Sequence, residues 1–145
     1  MLKEGKTIIN PYLLKKYSNF EINAKNMSIQ LKSIKSAIGI IKEDIQFSKE
    51  NNENASDASA YSLILRLRTI YIIECIKKNK IWSKKEFLET IKKVSGSCMA
   101  YERYLTSKNK NTLKNELKLE EAERLLEYIT IKSKEIEKWL LERKD

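Results

Sequence analysis

Tyr61-Ser-Leu-Ile-Leu-Arg66-Leu-Arg68-Thr-Ile-Tyr71-Ile-Ile-Glu74-Cys75-Ile76 is the most apolar run of the chain, and its reading decides the fold. As a strand, Leu63, Leu65, Leu67, Thr69 and Tyr71 would alternate with Ile64, Arg66, Arg68 and Ile70. As a helix it is apolar nearly all round, the mark of an element at the centre of a bundle. No turn chemistry and no second strand candidate accompanies it, and the 145 residues hold only 3 Gly and 1 Pro. Helix is therefore the better reading. Ser56 or Asp57 can cap it, and it runs to about Lys78.

Upstream, Phe20, Ala24, Met27, Leu31, Ile34, Ile38, Ile41 and Ile45 recur at alternating spacings of four and three. Such a seam puts one stripe of a long helix against a partner helix. Ile22, Ile29, Ile40 and Phe47 widen that apolar face and favour a bundle over a simple paired helix. Asn10-Pro11 offers an earlier helix start, with a turn at Tyr12, Leu13 and Leu14. The polar segment from Lys49 to Ser56 reads as the connecting loop.

Downstream, Trp82-Ser83-Lys84-Lys85-Glu86-Phe87 is a helix entrance: Ser83 and Glu86 form a capping box, and Trp82 and Phe87 take the staple positions. That helix buries Phe87, Leu88, Ile91 and Val94 and stops at Gly96. A shorter helix carries Ala100, Tyr101, Tyr104 and Leu105 toward a polar loop from Ser107 to Asn111. The last helix repeats Leu119, Ala122, Leu126, Ile129, Ile136 and Leu140, with Leu125 and Trp139 alongside. Glu120, Glu121 and Glu123 at its start and Arg143 and Lys144 at its end complement its dipole. The expectation is one all-α domain over residues 1–145, an antiparallel helical bundle of about five helices with a long N-terminal and a long C-terminal helix.

Composition excludes several function classes. The chain has no His, which removes the usual general base and the commonest transition-metal ligand. Cys75 and Cys98 lie far apart without CxxC spacing, so Cys75 reads as a core residue and Cys98 as a loop or helix-start residue. No GxxxxGK[ST] or GxGxxG loop is present. Gly96-Ser97 lacks the acidic strand a nucleotidyltransferase centre needs, and Glu43-Asp44 and Glu120-Glu121 sit on polar helix faces. No metal, cofactor or catalytic residue is expected. No run is long and apolar enough to span a membrane, and the N-terminus lacks a signal-peptide core, so the cytoplasm is the expected compartment.

Charge carries the strongest functional hint. From Arg66 to Lys118 there are 14 Lys and Arg against 5 Asp and Glu, which accounts for the whole net charge of +9. Lys77, Lys78, Lys80, Lys84, Lys85, Lys92 and Lys93 cluster around one loop and one short helix; Tyr101, Arg103, Tyr104, Lys108 and Lys110 follow. Clustered lysines release counterions from a polyanion, and tyrosines stack on unpaired bases. A solvated lysine face, with both tyrosines in the core, is the competing account. Arg66 and Arg68 interrupt the apolar helix and point roughly 200° apart. Each needs an acidic partner, such as Asp44, Glu74 or Glu102, or an anionic ligand.

The Tyr61–Cys75 run, followed by Trp82-Ser83-Lys84-Lys85-Glu86-Phe87-Leu88 and Ala100-Tyr101-Glu102-Arg103-Tyr104, resembles the helical C-terminal region of archaeal nucleotidyltransferases of the DNA polymerase β type. Those regions in turn resemble HEPN bundles. The resemblance covers roughly residues 58 to 140. It implies a helical module that binds substrate or partner for a nucleotidyltransferase acting on RNA or protein. HEPN ribonucleases use an Arg followed closely by His; Arg66 or Arg68 matches the Arg, but the His is missing, so ribonuclease chemistry is not expected.

Besides a ribonuclease of the HEPN kind that dispenses with His, two function classes follow. One is a non-catalytic module whose Arg66, Arg68, Lys77, Lys78, Lys80, Lys84, Lys85, Tyr101, Arg103, Tyr104 and Lys108 dock nucleic acid, RNA favoured, or a nucleotidyltransferase partner. The other is a self-associating bundle, a possible homo-dimer whose long first helix pairs with its copy.

Overall fold

The computed structural model describes residues 24–109 and 116–142, with side chains at 27–106 and 116–142. The expectations for Pro11, the Tyr12–Leu14 turn, Phe20, Ile22, Lys110, Arg143 and Lys144, and for the Lys108 side chain, fall outside these. Among the described residues there are five helices: α1 Ala24–Glu50, α2 Asp57–Lys77, α3 Lys84–Ser95, α4 Met99–Asn109 and α5 Leu119–Glu142. All five feed one apolar core.

α2 lies at its centre, packed against α1, α4 and α5. Ala60, Leu63, Ile64, Leu67, Ile70, Ile73 and Cys75 are all buried, and they project from several sides of the helix. Ser56 caps it as expected, accepting from the Ser59 N–H at 3.0 Å.

α1 runs antiparallel to α5. Lys35 pairs with Glu137 at 2.6 Å and Lys49 with Glu123 at 3.3 Å, so rising numbers on one meet falling numbers on the other. α2 and α5 run in the same direction. Ala55 and Leu117 form a backbone bridge before their first turns, and Lys77 reaches the Trp139 ring near their last.

Met27, Leu31, Ile34, Ile41 and Ile45 of the expected α1 seam are buried, but Ala37 takes the place expected of Ile38, which is only half-buried. The widening residues are not buried. Ile29, Ile40 and Phe47 are 53%, 69% and 60% exposed, so that expectation is corrected. They lie roughly 140° to 160° around the helix from Ala24, whereas the buried seam centres near 280°. On α5 the buried row is Ala122, Leu125, Ile129, Ser133, Ile136 and Leu140, with Leu125 rather than Leu126 inside. α4 continues through Ser107 to Asn109, where a loop was expected.

Because Leu31 is packed inside its own chain, Leu31→Lys will unfold the monomer rather than separate two copies. Burying an unpaired ammonium there is expected to lower unfolding free energy by about 3 kcal/mol or more, read by urea titration.

Candidate nucleic-acid interface

α3 begins where Ser83 accepts from the Glu86 N–H at 3.2 Å and Trp82 meets Phe87 with ring centroids 5.3 Å apart. Half of the expected capping box is replaced. The Ser83 N–H donates to the Tyr71 hydroxyl at 3.3 Å, and that hydroxyl donates to Glu86 Oε1 at 2.8 Å. Lys80 Nζ closes the arrangement on the same oxygen at 2.5 Å. A phenol from α2 thus does the work usually done by the N3 carboxylate, fixing α3 on the central helix. α3 ends at Gly96, whose φ of 101° is the left-handed region glycine adopts most readily. Arg124 of α5 holds that end by donating to the Ser95 carbonyl at 3.1 Å.

The anchored helix has a buried side, Phe87, Ile91 and Ser95, and an exposed side, Lys85, Glu89, Lys92 and Lys93. From Lys77 to Ser95 the chain carries seven lysines and only two acids, Glu86 and Glu89. Glu86 is taken up by Tyr71 and Lys80.

The other sequence-derived candidates separate into two groups. Arg103 is buried, 8% exposed, and grips Asp57 with two bonds: Nε to Oδ1 at 2.8 Å and Nη2 to Oδ2 at 2.7 Å. Tyr104 is buried and stacks on Tyr61 at 5.2 Å and on Tyr101 at 5.8 Å; Tyr101 also meets the edge of Phe87 at 6.4 Å. These three side chains hold α4 onto α2 and α3. Lys77 bonds Glu74 at 3.4 Å and covers the Trp139 ring.

Lys78, Lys84 and Lys85 are exposed, with no carboxylate partner among the described residues; Lys84 lies 5.9 Å from the Tyr101 ring centre. Arg68 is exposed over the Trp82 ring at 5.6 Å. Arg66 takes none of its expected acids: Asp44 accepts from Ser56 and Ser59, Glu74 pairs with Lys77, and the buried Arg66 Nε has no partner.

Beside α3 opens a cleft of about 180 Å³, walled by α2, α3 and α5, whose charged lining is mixed: Lys78, Lys80 and Lys132 with Glu74 and Glu86. A shallower groove shares Thr90, Tyr128 and Lys132 and extends the cleft to Lys93 and Arg124. Charge counting along the chain missed Lys132, Tyr128 and Arg124, because their segment of α5 is acid-balanced; only the fold brings them to α3.

Glu86 is held below the usual carboxylate range, first by its bond to Lys80 and then by Tyr71. Lys80 is correspondingly raised by Glu86. The Tyr71 phenol is pushed well above its ordinary value by burial and then by the adjacent carboxylate. Burial also raises Tyr128. At Lys132 burial acts to lower the pKa, but Glu135, Tyr128 and Glu74 outweigh it, and the net shift is upward. Lys80 and Lys132 are thus held as ammonium groups by the carboxylates they pair with, Glu86 and Glu135. No group of three or more His, Cys, Asp or Glu suited to a metal ion occurs among the described residues. None of their helices is long and apolar enough to cross a membrane. No family model, curated protein or solved structure matches the chain.

Tyr71→Phe removes the bonds to Glu86 and Ser83, with an expected cost of about 0.5–1.5 kcal/mol in chemical denaturation. Glu86 also sets a pH dependence. Its folded pKa is depressed, so its contribution is complete above the unfolded carboxylate value of about 4.3 and disappears as pH falls through the lower folded value. Stability measured on acidification should drop less in Glu86→Gln than in wild type.

Proposed function

We propose that this chain is a non-catalytic helical module that holds a polyanion along the outer side of α3, with single-stranded RNA the favoured ligand. The carrying observation is the set Lys78, Lys84, Lys85, Lys92 and Lys93: all exposed, and none with a carboxylate partner among the described residues. Lys85, Lys92 and Lys93 share one side of α3 by their spacing of seven and eight. Lysines so placed release condensed counterions when a phosphate chain replaces water, which supplies affinity without sequence preference.

The preference for a single strand rests on Arg68 and Trp82. Arg68 is exposed over the Trp82 ring, which itself packs on Tyr71 and Phe87, so the guanidinium is the surface on which an unpaired base would stack. Tyr101 and Tyr104, first considered for that task, spend their faces on Tyr61, Phe87 and one another. The nucleotidyltransferase partner implied by the resemblance would be an acidic protein surface meeting the same lysines; no contact in the fold favours it over nucleic acid.

Fluorescence anisotropy with labelled single-stranded RNA and duplex DNA, at about 50 and 200 mM salt, tests this reading. With three to five phosphates engaged, log affinity for RNA should fall with log salt at a slope of roughly −2 to −4. Lys85→Ala/Lys92→Ala/Lys93→Ala should reduce that slope by about 2, whereas Lys42→Ala on α1 leaves it nearly unchanged. Absent or salt-insensitive binding overturns the proposal.

A further inference from the structure

The outer side of α1 carries a second heptad row that no described residue covers. Ile29, Ser33, Ser36, Ile40, Glu43 and Phe47 recur at spacings of four, three, four, three and four, and all six are exposed. Three large apolar side chains on one line, each more than half open to water, extend over about 27 Å of helix. In their midst stands Gly39, also exposed. A Cβ added there would meet nothing within 4 Å, so no packing among the described residues calls for glycine. Glycine in a helix interior is nevertheless costly relative to alanine. Close approach of another backbone would account for it.

The charges on this side identify the occupant. Lys32 and Glu43 are exposed, without a carboxylate or cation partner among the described residues, and flank Gly39 on its two sides along the helix. We propose that α1 pairs antiparallel with α1 of a second copy of this chain, about a two-fold axis near Ser36 and Gly39. In that register Ser36 lies beside the partner's Gly39, Lys32 meets the partner's Glu43, and Ile29 packs beside the partner's Phe47. Two-fold symmetry makes each contact occur twice. Ser36 and Gly39 sit at the crossing, where backbones come closest, with Ile40 beside them; Ile29 and Phe47 sit at the two ends. A parallel pair would instead set Lys32 against Lys32 and Glu43 against Glu43.

This row is not the buried seam of Met27, Leu31, Ile34, Ile41 and Ile45, which is occupied inside the chain. A single helix pair of this length falls at the small end of interface sizes, so association on the order of tens of micromolar is expected.

Sedimentation velocity of the full chain, from about 5 to 500 µM, is the test. The proposal expects a monomer–dimer equilibrium in that range. Ile40→Lys should weaken association at least tenfold with the thermal midpoint of the dilute monomer almost unchanged, since Ile40 is 69% exposed. Gly39→Gln should abolish the dimer while raising the monomer's midpoint. Lys32→Glu and Glu43→Lys should each weaken the dimer, and the double exchange should restore it, because only an antiparallel pair places these two residues together. A chain that is monomeric throughout, a dimer indifferent to Gly39→Gln, or a double exchange that fails to restore association overturns the proposal.

Discussion

The rest of the structure depends on the burial of α2. A helix with apolar residues on nearly every side has no stable surface position, and each fully buried Leu or Ile contributes about 1.5–3 kcal/mol once covered. α1, α4 and α5 pack directly on α2, and α3 reaches it through Tyr71 and Phe87. The polar groups of the bundle are arranged around the ends of this helix. Asp44 accepts from Ser56 and Ser59 at its start, Arg103 grips Asp57 one residue further on, and Tyr71, Glu86 and Lys80 tie its last turns to α3. Each of these joins a segment far away in sequence to the central helix, and each leaves its buried donors satisfied.

How much of this was legible in the sequence depends on what kind of signal placed each residue. Local signals placed the caps: Ser56, Ser83 and Gly96 act where their neighbours say they should, because capping depends on a few consecutive residues. Periodicity placed most of the α1 seam and of the α5 row. It misjudged Ile29, Ile40 and Phe47, since spacing identifies residues that share a side but cannot say whether a partner lies opposite. The Tyr71 hydroxyl at the Ser83 N–H was invisible because it comes from another helix. Arg103 and Asp57 stand 46 positions apart, and nothing local links them.

The excess charge shows the same division. A net surplus in the middle of the chain is a statement about sequence, and the fold sorts its members into two kinds. Arg103 and Lys77 are spent on carboxylates, and Tyr101 and Tyr104 on aromatic packing. The lysines of α3 stay open because that helix has acids only at Glu86 and Glu89, and Glu86 is already engaged. Arg66 belongs to neither kind: its Nε is buried without a partner, while its neighbour Arg68 lies across Trp82. The roughly 200° between successive alternate positions on a helix is what separates their surroundings.

The two unspent surfaces, the lysine side of α3 and the apolar row of α1, belong to helices that pack on different sides of α5. Glu123 and Glu137 of α5 reach α1, whereas Arg124 holds the end of α3 and Tyr128 lines the cleft beside it. Pairing through α1 therefore leaves α3 uncovered on both copies. Two basic sides joined by the proposed pairing would act on a polyanion long enough to span them as a bivalent site, the second contact being made at high local concentration. Four exposed lysines on one short helix, with Lys78 at the end of α2, make a modest phosphate site; doubling them by symmetry would raise affinity for long strands over short ones without adding a contact to either copy. Strand-length dependence thus couples the two surfaces, and it vanishes when either the α3 lysines or the α1 row is removed.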